Sequence, residues 1–163
     1  MVWIEGVLFK EFKCDIIFFM NLKIKLIDKT LPLPKYKTKG AVAFDLYSRE
    51  KVVAPPWQPT LIPLNLIVKI PKGYFLMLCA RSSLAFKKNL IVANGIGVID
   101  QDYCGEEDEI KLSVINFSKN EIVVEKGERI AQAILVKIAK VDKFMVVKKM
   151  EKKSRGGFGS TNV

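Results

Sequence analysis

Leu22, Ile24 and Leu26 alternate with Lys23 and Lys25, so one side of this stretch is apolar and the other charged. A period of two marks a half-buried β-strand. Pro32 and Pro34 end it, because proline brings no N–H to a ladder. Residues 61–70 and 74–80 are apolar, β-rich runs joined at Pro71-Lys72-Gly73, which predicts a hairpin-like turn. Ile110, Leu112 and Val114 alternate again. Residues 121–125 and 129–138 read as strands on either side of a turn at Lys126-Gly127. Many short strands at this spacing predict an all-β, jelly-roll-like sandwich or barrel. One short helix is expected, with Ser82 or Ser83 as its N-cap and residues 84–88 as its body. No internal repeat, linker or second domain is visible.

Length and composition narrow the picture. A chain of 163 residues fits one domain with its own core. Half of it is apolar, yet its longest apolar runs fall well short of the roughly 18–20 residues that span a bilayer. Cys14, Cys79 and Cys104 are odd in number and lack metal-ligand spacing, which points to a reducing compartment, most simply the cytoplasm. The chain has no histidine, which excludes a His-ligated zinc centre and Ser-His-Asp or Cys-His catalysis. Hydrolytic chemistry must then run on carboxylates and an external metal.

The net charge of +10 invites a nucleic-acid reading, but its distribution argues for a solvated lysine surface. Lysines lie along the whole chain, with one modest cluster at Lys148, Lys149, Lys152 and Lys153. Arginine is more selective. Of four, Arg81, Arg129 and Arg155 sit in segments whose other residues suit chemistry. A guanidinium fork grips phosphate or carboxylate, whereas lysine serves as a general surface cation.

Three segments stand out. Ala80-Arg81-Ser82-Ser83-Leu84 sets an arginine and two hydroxyls where a strand hands over to the helix, although serine there is as readily a simple cap. Asn94-Gly95-Ile96-Gly97 lets backbone approach a ligand closely and offers an amide suited to a pyrimidine edge. Asp100, Asp102 and Tyr103 follow at once; an acidic turn between strands is the plainer reading. The ending Gly156-Gly157-Phe158-Gly159-Ser160-Thr161 is too rich in glycine for a stable element. Its N–H groups and hydroxyls suit phosphate, and its ring can lie on a base.

With these residues in place, the chain resembles the trimeric deoxyuridine triphosphatase family, whose five motifs occur in order. Residues 41–48, 80–85, 97–105, 126–132 and 155–161 carry them. The resemblance implies a jelly-roll subunit and a homotrimer with sites at subunit interfaces, acting on dUTP with Mg²⁺. The products would be dUMP and pyrophosphate, lowering dUTP and supplying dUMP for dTMP synthesis. By position, Asp100 is the general base, Tyr103 packs on the deoxyribose, and Asn94 with Gly97 and nearby hairpin backbone reads uracil. Ser82, Ser83 and Arg81 meet phosphate. Gln132 helps to position it, and Asp45 reaches the metal indirectly through water. Phe158 and Gly159 close over the base, and Ser160 and Thr161 hold the terminal phosphate. Neither nucleic acid nor membrane is expected as a partner.

The resemblance divides the chain into an N-terminal extension (1–19), a β domain (20–150) and a glycine-rich arm (151–163) donated between subunits. Charges interrupt the apolar positions of residues 1–19, which argues against a signal peptide. The segment is either an extra strand or short amphipathic piece packed on the trimer, or a stretch foreign to the protein; dispensability is expected, because Met20 begins an ordinary start for the family. Lys153 stands where the family usually has arginine, so either Lys153 or Arg155 meets the terminal phosphate. Glu106-Glu107-Asp108 forms an acidic insertion of about three residues after Tyr103. Two alternatives remain open. One is dCTP deaminase, or a bifunctional deaminase and dUTPase, which shares the fold and an Arg-Ser-Ser segment; the other is a non-catalytic nucleotide-sensing module.

Overall fold

The computed structural model describes residues 2–4, 7–9 and 20–157. In chain order the strands begin with β1 (Val2–Ile4), β2 (Val7–Phe9), β3 (Lys23–Leu26), β4 (Phe44–Tyr47) and β5 (Val52–Ala54). They continue with β6 (Pro59–Pro63), β7 (Leu66–Lys69) and β8 (Tyr74–Ala80). After the helix α1 (Leu84–Lys88) come β9 (Leu90–Val92), β10 (Gly97–Ile99), β11 (Lys111–Asn116), β12 (Ile122–Val124) and β13 (Arg129–Lys137). The all-β, jelly-roll-like expectation holds. Among the described residues no helix is long and apolar enough to cross a membrane.

Strand partners are almost all distant in sequence. One sheet runs β10-β8-β13-β4 and another β6-β11-β9, while β12-β5, β3-β7 and β1-β2 are two-stranded. Leu46, Leu76, Leu78 and Ala133 from the first sheet join Ile62, Leu90, Leu112 and Val114 from the second in one buried cluster. Alternation explains the choice: Leu76 and Leu78 are buried, while the alternate residues Met77 and Cys79 face the other way and are only half-buried. Burial there pushes the Cys79 thiol pKa up.

The expected turn after residue 70 is present but does not make a hairpin. Pro71-Lys72-Gly73 does turn the chain, with Gly73 at φ +84° and the Tyr74 N–H bonded to the Pro71 carbonyl at 3.2 Å. Yet β7 pairs with β3, and β8 pairs with β10 and β13. The turn carries the chain from one sheet to another. The run from 61 to 70 is likewise two strands, broken at Asn65. That residue sits at φ +63°, and its side chain accepts from the Asp28 N–H at 2.6 Å and donates to the Asp28 carbonyl at 2.9 Å. Lys126, with help from Thr30, holds the Asp28 carboxyl well below the usual aspartate range.

Candidate functional site

The outer side of the four-stranded sheet carries a row of three residues in direct register: Asp45 on β4, Gln132 on β13 and Cys79 on β8. Arg81 lies two residues beyond Cys79, and so by alternation on the same side. Arg129 reaches that side through a fault in the ladder. Tyr47 pairs with Arg129 but Leu46 pairs with Ala131, so Ile130 is an extra residue in β13. In an unbroken strand Arg129 would share the core-facing side of Ala131 and Ala133. The bulge turns it outward and lets Ile130 be buried instead.

A clamp results. Arg81 Nε donates to Asp45 Oδ1 at 3.0 Å and Arg129 Nη1 to Oδ2 at 3.0 Å. Arg81 Nη1 also donates to the Arg129 carbonyl at 3.3 Å, and Gln132 Nε2 to the Ala80 carbonyl at 2.9 Å. Asp45 is buried while the two guanidinium groups remain partly open. One carboxylate thus fixes two cations at the edge of a cleft of about 310 Å³ lined by Arg81, Ser83, Lys87, Lys88, Glu128 and Arg129, with Leu84 and Ile130 as its apolar floor. Such a cleft is built to take an anion.

Helix α1 occupies residues 84–88 as expected, and Ser83 is its N-cap. The Ser83 hydroxyl makes no capping bond, so it remains available to the cleft, while Ser82 is exposed beside it. Asn89 ends the helix in the left-handed conformation, its N–H bonded to the Ala85 carbonyl.

Asp100 does not belong to this cleft. It follows Ile99, which pairs with Leu76 near the start of β8, whereas Arg81 follows the end of β8. About six residues at roughly 3.3 Å each put the two some 20 Å apart along the strand. Asp100 lines a second opening of about 190 Å³ with Tyr74, Gln101, Asp102 and Lys140. Gln101 Nε2 ties this turn to the Tyr74 carbonyl at 2.8 Å, and the Tyr103 hydroxyl donates to the Glu109 carbonyl at 3.2 Å. Asn94 is exposed in the turn that enters β10, where the Ile96 N–H bonds the Asn94 carbonyl at 2.9 Å. That turn links β9 to β10 across two sheets and is not a paired hairpin. Gly97 is buried there, and a Cβ on it would come within 2.9 Å of the Leu78 Cβ.

The remaining candidates separate again. Arg155 and Lys153 are exposed in a stretch with no strand or helix, and Phe158, Gly159, Ser160 and Thr161 lie outside the described residues. The acidic insertion packs against the body: Glu106 pairs with Lys25, and Asp108 accepts from the Gly105 N–H at 2.6 Å.

Two groups of residues were not singled out from sequence. Lys87, Lys88 and Glu128 line the clamp's cleft; the helical i, i+4 step from Ser83 to Lys87 was the available signal. Glu109, just past the insertion, is buried and accepts from Arg49 Nε at 2.8 Å and the Asn65 N–H at 2.9 Å. A buried carboxylate so bonded holds the segment on which the Tyr103 hydroxyl rests.

Comparison with known proteins identifies the family. The dUTPase family profile matches residues 29–162. A deoxyuridine 5'-triphosphate nucleotidohydrolase of Hydrogenobaculum sp. (strain Y04AAS1) is 40% identical over 147 residues, covering 88% of this chain and 99% of the relative. The dUTPase of Staphylococcus bacteriophage 80alpha, solved with dUPNHPP, superimposes with a TM-score of 0.74 at 28% identity, covering 88% of this chain and 99% of that one. The dUTPase of Streptococcus mutans gives 0.68 at 30% identity over 74% of this chain and 98% of its own. With the fold, the ordered motifs and these likenesses together, the chain belongs to the dUTPase family.

Proposed function

We propose that the chain hydrolyses dUTP to dUMP and pyrophosphate at a site assembled from more than one copy of itself. The observation that carries this is the Asp45–Arg81–Arg129 clamp at the mouth of a cationic cleft in a dUTPase-family chain. The clamp suits the triphosphate. Asp100 suits the water: an exposed carboxylate on a turn can take its proton as the oxygen attacks the α-phosphorus and the bond to the departing pyrophosphate breaks. Some 20 Å of strand separates the two groups within one chain, so they act together only when different copies face each other. A homotrimer with the 151–163 arm donated between subunits meets that need, with Phe158, Gly159, Ser160, Thr161 and Arg155 closing the site. Residues 20–150 form the β domain on this reading, and 1–19 are dispensable.

Tyr103 forms the sugar-facing wall and Asn94 with the Gly97 segment the base-reading edge. Ser82, Ser83 and Gln132 complete the phosphate contacts. The donor set fits Mg²⁺ held through water. Each Asp45 oxygen accepts one arginine bond and keeps lone pairs for water, and no group of three or more acidic or cysteine side chains gathers among the described residues. Such a set suits a hard cation that arrives with the phosphates and retains most of its waters. When bound, Mg²⁺ neutralises phosphate charge and fixes phosphate geometry. The reading places the protein in the cytoplasm.

The test is a substrate panel. Purified protein with Mg²⁺ and each of dUTP, dCTP, UTP and dTTP should release pyrophosphate from dUTP alone. Ammonia from dCTP would instead support the deaminase alternative, and no turnover would support a sensing module. Comparable efficiency on UTP would remove Tyr103 from its place against the deoxyribose.

A further inference from the structure

The charges around the clamp's cleft are not equivalent. Arg81 and Arg129 are tied to Asp45. Lys88 Nζ lies 2.9 Å from Glu128 Oε2 and donates to the Val123 carbonyl at 2.9 Å. Glu128 also accepts from the Glu125 N–H at 3.1 Å, which fixes the acid on the β12–β13 turn. Lys88 therefore cancels Glu128, the one acidic side chain lining the cleft among the described residues. Lys87 is different. It is exposed, lines the same cleft, and its ammonium has no hydrogen-bond or ion-pair partner among the described residues. Ser83 and Lys87 are four residues apart on α1, as are Leu84 and Lys88, so the helix turns both pairs toward one opening.

Resting on the dUTPase reading, we propose that Lys87 is a phosphate-binding residue for the part of the nucleotide that leaves as pyrophosphate. Lys88 is a positioning residue that keeps Glu128 from repelling it. Lys87 stands one helical turn, about 5.4 Å, beyond Ser83, so within the same cleft its ammonium can meet a different phosphate from one held at the strand–helix junction. An unpartnered ammonium is a good point charge for phosphate, and it loses no existing bond on binding.

Lys87→Gln, Lys87→Arg, Lys88→Gln, the pair Lys88→Gln with Glu128→Gln, and Lys119→Gln as a charge-matched control are made in the full chain. KM and kcat for dUTP are measured over a range of salt. Calorimetry measures binding of magnesium pyrophosphate and of dUMP. Lys87→Gln should raise KM roughly three- to tenfold, more than it lowers kcat, and weaken pyrophosphate to a similar degree. It should also flatten the salt dependence of KM and leave dUMP affinity alone, and Lys87→Arg should restore binding. Lys88→Gln should weaken pyrophosphate, and Glu128→Gln in the same chain should recover it. Wild-type pyrophosphate affinity in Lys87→Gln, an equal loss in Lys119→Gln, or no pyrophosphate binding by the wild-type protein overturns the assignment. A Lys88→Gln loss that survives Glu128→Gln overturns the role of Lys88. If the wild-type protein does not hydrolyse dUTP the hydrolytic reading fails, whereas pyrophosphate calorimetry still reports on Lys87.

Discussion

Asp100 is exposed at the point where β10 gives way to a turn. Asp100→Asn therefore replaces one carboxylate oxygen by an NH2 group of similar size without disturbing the fold. Turnover of dUTP should fall roughly 10²–10⁴-fold, the loss expected when a general base is removed. Melting temperature and affinity for a non-hydrolysable analogue should hold. A variant within a few-fold of normal turnover would take Asp100 out of that role. At this scale the sequence was readable where chemistry sits in short segments: Arg81 with its serines, or Asp100 with Tyr103. It was silent on Lys87, Lys88 and Glu128, because ordinary lysines and a turn glutamate gain significance only from the cleft they share. Glu109 was hidden for another reason. It adjoins an acidic surface stretch, and only its bonds to Arg49 and Asn65 show that it is buried.

Individual strands follow from alternation, but their partners do not. The run from 61 to 70 contains two strands because Asn65 adopts a left-handed conformation and bonds Asp28, 37 residues away. Nothing local signals such a partner. The bulge at Ile130 is equally non-local, since it is defined only by the register against β4. Gly97 is the element-scale counterpart that sequence did mark. It was read as room for a ligand, and the structure adds that β10 can approach β8 closely only without a side chain there. Gly97→Ala forces the new methyl against the inner carbon of Leu78, and overpacking of this kind costs about 1–3 kcal/mol. The denaturation midpoint should drop accordingly. An unchanged midpoint would mean that β10 shifts freely and that the close approach is incidental.

At the scale of the whole molecule, β8 acts as a spacer with the Asp45–Arg81–Arg129 clamp at one end and Asp100 at the other. The proposed assembly makes a mixing test possible. Asp100→Asn and Arg81→Gln chains should each be poorly active alone, since every site contains one damaged half. Co-expressed in equal amounts, they should form mixed oligomers in which about a quarter of the sites draw an intact half from each chain type. Activity near that level, together with a trimer by light scattering, supports shared sites. A mixture no better than its parents, although mixed oligomers form, would place each complete site within one chain. This arrangement was legible only through the family resemblance, because alternation and composition say nothing about which surfaces meet.

The clamp also bears on how this sequence can vary. Positions 45, 81 and 129 lie on three different strands or strand ends, yet they share one buried carboxylate and two guanidinium groups. Exchange of the aspartate alone strands two neighbouring positive charges, and exchange of either arginine leaves an oxygen of a buried anion short of a partner. No single step among the three is neutral. Among descendants of this chain, these three positions should persist or change as one unit, while the lysines that surround the cleft drift independently.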